Sequence, residues 1–377
     1  MYKVGHNPSA PTVPIYKNKS SCYNGNRREK GGADMITLGE RLKMARAISG
    51  LALREVAERA GVSHTAISKY ERGLDVPSSS VLLRLAQALG VKLDYLFRPT
   101  TIVINPEIVH YRCRSRCGVK ARNQVQAEVV ECMERYLEVE SLFGEPPRFP
   151  VPKIDLQVSR MEDIERLALN LRRAWELGYD PIENLTAVLE DKGVRACLVQ
   201  GCEGFDGLSA WIQEGIPVVA VQRDVSGDRQ RFDLAHELAH LLIAFSPNVE
   251  EEAAAHRFAG AFLVPEPAAR AELGDHRHDL EPRELYLLKR KYGLSMQAWV
   301  RRAKDLGIIE EASYQRICQR FSQLGWRKYE PWDQVPSEQP KRMKQLVFRA
   351  LAEDMISRSR AKELLGEEIA EVEPVLA

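Results

Sequence analysis

Apolar residues recur at three- and four-residue spacing through most of the chain, and the rhythm breaks at glycine and proline. In Leu53–Ala60 it puts Val56, Ala57 and Ala60 on one helical face; Gly61 then supplies a turn, Val62 an apolar plug and Ser63 an N-cap for a helix over His64–Glu71. Two short helices joined this tightly predict a helix-turn-helix. A longer amphipathic helix follows at about residues 123–142, and residues 144–152, with four prolines, cannot continue it. A domain boundary is expected there. Helical spacing returns at 161–177 and again after Asp180-Pro181, an N-cap followed by proline at the first helical position. Short β-branched runs at 194–199 and 217–221, with Gly201, Gly204 and Gly207 read as turn residues between them, predict a small sheet. Helices over 228–245 and 250–263 and a largely helical C-terminal third, interrupted around 326–340, complete the pattern. The class is mainly α with a small β-sheet.

The 377 residues are enough for two or three domains, and 44% hydrophobic with 28% charged residues places the chain among ordinary folded proteins. The pattern divides it into residues 1–34, polar and read as a disordered extension with Met35 as an internal start, then 35–100, 101–152, 153–268 and 269–377. The longest strongly apolar stretch, 238–245, is broken by His240 and is far short of the ~20 residues a membrane span needs. Seven scattered cysteines read as free thiols of a cytoplasmic protein. Cys113 and Cys117 come nearest to a metal pattern but lack a second pair. The net charge of +1 gives no ground on charge alone for calling the whole molecule a nucleic-acid binder, so any DNA contact has to be local. Residues 36–99 carry ten Lys and Arg against six Asp and Glu.

That local excess coincides with a resemblance. Gly61-Val-Ser-His-Thr-Ala-Ile-Ser-Lys-Tyr-Glu-Arg-Gly73, followed by Pro77, Leu82, Leu85, Ala86 and Leu96, is similar to the XRE family of lambda-repressor-like DNA-binding domains. The resemblance implies that the second helix of the pair enters the major groove, with His64, Thr65, Ser68 and Lys69 facing base edges or phosphates. Leu53 stands where the family commonly has Gln as a phosphate contact, and Arg54 can substitute. The expected partner is a double-stranded DNA operator read by a homodimer, because one copy with so small a charge excess binds weakly and with strong salt dependence.

The second chemical signal is His236-Glu237-Leu-Ala-His240. On a helix, residues four apart lie one above the other, so both imidazoles reach one metal ion such as Zn²⁺. Glu237, turned about 100° away, is placed to take a proton from a water at that ion. Apolar Phe232, Ala235, Leu238, Ala239 and Leu242 predict a buried helix, as an active centre requires. A third protein ligand is needed, and the next helix carries Glu252, His256 and Ala259 along one face.

These two helices, with Leu177-Gly178, Pro181-Ile182 and Leu189-Glu190 before them, resemble the ImmA/IrrE family of zinc metallopeptidases over roughly residues 155–330, a zincin-like minimal fold. The resemblance implies that Glu252 completes a site of His236, His240 and Glu252. His256 stands where relatives commonly have Asn and is either an alternative ligand or a partner of Glu252. Glu250 and Glu251 read as acids that favour the helix N-terminus. The expected function is a DNA-binding transcriptional regulator whose zinc-dependent endopeptidase cleaves a repressor, a toxin-like partner or its own 144–152 linker by water activated at Glu237. The alternative is a non-proteolytic antitoxin or phage-type regulator whose metal is structural or sensory. Residues 285–292 and 296–306 spell a second helix-turn-helix with Arg301, Arg302 and Lys304 read as outward, more in keeping with part of the peptidase unit than with a second DNA reader.

Overall fold

A computed structural model of the chain describes residues 37–98, 102, 110–113, 118–144, 149–200, 204–212 and 215–369. The extension 1–34, Met35, Cys117 and residues 145–148 of the proline-rich stretch lie outside them. The first unit is a cluster of four helices, α1 (Leu38–Ile48), α2 (Leu53–Ala60), α3 (His64–Glu71) and α4 (Ser79–Leu89), closed by a 3-10 turn at Leu93–Phe97. Leu42, Val56, Ala57, Ile67, Leu85 and Leu96 form its core. The α2–α3 turn follows the sequence reading. Gly61 takes φ 64° and Ser63 accepts a hydrogen bond from the Ala66 N–H.

The helix expected at 123–142 runs over Val119–Ser141 (α5) and is the spine of the molecule rather than a spacer. Arg41 of α1, fully buried, makes a two-pronged ion pair with Glu134 of α5 and donates to the Arg98 carbonyl. Val125, Val129, Met133 and Tyr136 pack on the sheet, where Glu140 pairs with buried Arg195. Helices α14 (Arg342–Ala352) and α15 (Arg358–Leu365) pack on its C-terminal half, and Glu138 is bound by Arg360.

The sheet has the order β1 (His110–Cys113), β4 (Phe205–Ile212), β5 (Ile216–Gln222), β3 (Arg195–Val199). β3 and β5 are parallel, and β4 is antiparallel to both of its neighbours. Alternate residues of β5 go to opposite faces: Val218 and Ala220 join the α5 side, Val219 and Val221 the side of α8 (Gly227–Leu242). A two-residue parallel pair, β2 (Gln157–Val158) with β6 (Ala244–Phe245), lies outside this sheet.

Two sequence expectations are corrected. Gly207 is not a turn residue but sits within β4. The strand carries Asp206 and Gly207, types depleted in strands, so no propensity signal marks it. The helix after Asp180-Pro181 begins only at Leu185 (α7, Leu185–Asp191), with Asn184 as N-cap. The segment 326–340 does interrupt the helices, as turns that lead into an extended strap. Glu338 accepts from the Leu185 and Thr186 N–H groups, capping α7. Glu330 does the same for Met296 and Gln297, capping α12 (Met296–Asp305). The strap also lies on the start of α8, where the Gly227 N–H donates to the Val335 carbonyl and a Cβ on Gly227 would collide with the Pro336 carbonyl.

The second unit continues through α6 (Asp163–Ala174), α9 (Glu251–Leu263), α10 (Glu266–Leu273), α11 (Pro282–Tyr292) and α13 (Glu311–Gln323). Of the basic residues read as outward on α12, Arg301 is exposed and pairs with Asp305, and Lys304 is half-buried and pairs with Glu311, but Arg302 is buried against Glu165 and the Val264 carbonyl. Among the described residues no helix is long and apolar enough to cross a membrane.

Candidate functional site

Helix α8 lies under β4 and β5, with nearly every side chain from Asp228 to Leu242 buried. It ends at Leu242, earlier than the expected 245, because Ala244 and Phe245 leave it to pair with β2. His236 and His240 sit on its buried face with their Nε2 atoms 3.0 Å apart. Helix α9 approaches them. Its Glu252 places one carboxylate oxygen 3.4 Å from His236 Nε2 and the other 3.4 Å from His240 Nε2. Among the described residues these three are the group able to hold a metal, their donor atoms all within 4.8 Å of one another.

The arrangement fits a zinc-sized cation. Four ligands at about 2.0–2.1 Å in a tetrahedron lie roughly 3.3 Å from each other, close to the spacings seen here. His240 Nδ1 is 3.0 Å from a Glu251 carboxylate oxygen, which fixes the proton on Nδ1 and leaves Nε2 as a lone pair facing the other donors. Burial works against a charge on His240, but the contacts with Glu252, Glu237 and Glu251 outweigh it and raise its pKa. The same contacts, first with His236 and then with His240, hold the Glu252 carboxyl far below the ordinary carboxylate range. A cluster so rich in charge is what a bound cation would balance.

Glu237, fully buried, lies against β4. Ser209 Oγ donates to its carboxylate at 2.8 Å, and Gly207 leaves it room: a Cβ there would fall 2.5 Å from Oε1. Ser209 and Gly207 carry no sequence signal because the strand itself is not legible. Glu250 is the N-cap of α9, accepting from the Glu252 and Ala253 N–H groups. Glu251, expected to serve only the helix N-terminus, instead orients His240. His256 is exposed and outside the ligand group, its ring set edge-on to His236 with centroids 4.7 Å apart.

In the first unit, Arg54, His64, Thr65 and Lys69 are exposed and Ser68 is half-buried, on α3 and the start of α2. Ile67, on the opposite face of α3, anchors it in the core. Arg46 of α1 holds the end of α3 through a two-pronged pair with Glu71.

Two family models match these two units: a helix-turn-helix model over residues 42–96 and an IrrE N-terminal-like domain over residues 198–304. The chain joins a helix-turn-helix domain to an IrrE N-terminal-like domain. An uncharacterized HTH-type transcriptional regulator of Rickettsia prowazekii is 28% identical over 94 residues, 25% of this chain and 72% of the relative. The HTH-type transcriptional regulator ImmR of Bacillus subtilis is 38% identical over 61 residues, 16% of this chain and 48% of the relative. An uncharacterized HTH-type regulator of Mycobacterium tuberculosis is 39% identical over 59 residues, 16% of this chain and 42% of the relative.

The helix-turn-helix and IrrE-like chain is expected to retain one zinc ion per molecule after dialysis. His236→Ala should lose it, and Glu252→Ala should lose most of it, as read by atomic emission on the purified variants. Full retention in the Glu252 variant would move the third ligand to His256.

Proposed function

We propose that the protein is a cytoplasmic transcription regulator that binds an operator as a dimer through α3 and cuts a partner protein at a zinc centre formed by His236, His240 and Glu252. The observation that carries the reading is the meeting of two imidazoles and a carboxylate from two helices, with a second carboxylate, Glu237, held beside them by Ser209. A bound zinc ion supplies Lewis acidity toward a peptide carbonyl. Glu237 then takes the proton of the attacking water and returns it to the leaving amide nitrogen, the general acid–base role that a buried, hydrogen-bonded carboxylate can fill. Ser209 and Gly207 keep that carboxylate in place, and the packing of α8 under the sheet excludes bulk water. The substrate is a repressor or a toxin-like protein.

Mass spectrometry tests this directly. The zinc-loaded protein is incubated with candidate repressor and toxin proteins and with labelled casein. New peptides that disappear on chelation are expected, and an unchanged digest of both would overturn the proteolytic reading.

For the DNA unit, His64, Thr65, Ser68 and Lys69 read the operator and Arg54 contacts phosphate. Lys69→Ala should weaken operator binding severalfold and flatten its salt dependence by about one phosphate contact. Zinc content should stay unchanged. Equal affinity of variant and parent in a gel-shift titration would remove α3 from the recognition role.

A further inference from the structure

The edge of the sheet above Glu237 is filled by the chain itself. Were β1 absent, β4 would be an edge strand offering a row of main-chain donors and acceptors, the kind of surface on which an extended peptide adds as a further strand. β1 takes that place, antiparallel, with His110 opposite Ser209, Tyr111 opposite Leu208, Arg112 opposite Gly207 and Cys113 opposite Phe205. Ser209 and Gly207 are the two residues of β4 that touch the Glu237 carboxylate. The backbone at 110–112 therefore passes one strand spacing, about 4.8 Å, from the residues that hold the general base. The register slips between Arg112 and Cys113, beside Gly207, and such irregularities turn the backbone out of the regular ladder.

The strand also has a telling origin. It lies in the tether between Arg98, at the end of the helix-turn-helix unit, and Gly118, the N-cap of α5. Ile102 in the same tether is buried among α5 and sheet residues.

We propose that the outer edge of β4 is the docking surface for an extended peptide segment and that His110–Cys113 is its resident occupant, an uncut strand that an incoming peptide must displace. The proposal rests on the peptidase reading of the α8 centre. The pairing spans only four residues, so a longer guest strand of a partner protein can compete with it.

The test uses the full-length, zinc-loaded protein and fluorescein-labelled casein. Replacing Tyr111 and Arg112 together by Pro removes main-chain donors of β1, and the digestion rate should rise about tenfold at equal zinc content, since the resident strand lowers apparent affinity by the fraction of molecules it occupies. An unchanged or lower rate, with the parent digesting casein, overturns the proposal and leaves the peptidase reading standing. If neither protein digests casein, both fall. Hydrogen exchange on the parent gives a readout independent of the variant. The amides of 110–113 should be protected and should lose protection when casein is added to the Glu237→Gln protein, whereas open exchange of 110–113 in the parent overturns the docked strand. Intact mass supplies the last arm: clipping of the parent inside 110–113 would make the segment a substrate and overturn its standing as an uncut occupant.

Discussion

Glu237→Gln is expected to lower peptide cleavage by about 10²–10⁴-fold while leaving zinc and operator binding as they are. The amide has the shape of the carboxylate, and its oxygen can still accept from Ser209 Oγ, so the position beside Gly207 is kept. What it cannot do is take a proton from water. The three metal-binding side chains do not depend on Glu237 for their spacing, since His240 is held by Glu251 and both imidazoles by Glu252. Zinc analysis, a gel shift and the casein digest on one preparation separate the outcomes. Loss of cleavage alone supports the enzyme. Unimpaired regulation of the operator in cells carrying the variant would favour the reading in which the centre is structural or sensory and no peptide bond is cut.

Glu338→Ala is expected to destabilise the IrrE-like unit by about 3–5 kcal/mol, the loss that follows when one member of a buried ion pair is removed. Arg231, 5% exposed, pairs with Glu338 at 2.5 Å and also donates to the Ile182 and Glu183 carbonyls. Without the carboxylate its charge stays buried. The N–H groups of Leu185 and Thr186 lose their acceptor at the same time. Because Arg231 and Gln230, which exchanges two hydrogen bonds with the Glu338 backbone, both lie on α8, the damage reaches the helix that carries His236 and His240. Urea unfolding followed by near-ultraviolet circular dichroism measures it. A shift below about 1 kcal/mol would show that the strap is not a structural part of the site.

How much of this was legible in the sequence depends on how local each signal is. The α2–α3 turn, the buried face of α8 and the placement of His236, Glu237 and His240 follow from spacing, glycine and capping within a dozen residues, and those are the readings the structure keeps. Helix ends shifted where a distant partner intervenes. α8 stops early because Ala244 joins β2, and the start of α7 at Leu185, behind its N-cap Asn184, is reinforced by Glu338 from more than a hundred and fifty residues away. β4 escaped because Gly207 serves a tertiary need, room for the Glu237 carboxylate, that contradicts strand propensity. Arg302 misled for the converse reason. A basic residue on an amphipathic helix reads as solvated, yet its carboxylate partner Glu165 comes from α6.

The spine helix has a consequence for modularity. A stand-alone helix-turn-helix cut from this chain after Arg98 would carry Arg41, wholly enclosed in the full protein, without Glu134, the carboxylate that neutralises it. Transplanting the operator reader into another regulator therefore means either bringing α5 along or replacing Arg41. The two halves of this protein were fitted to each other, and gene shuffling at the tether alone would leave a raw charge on the severed face.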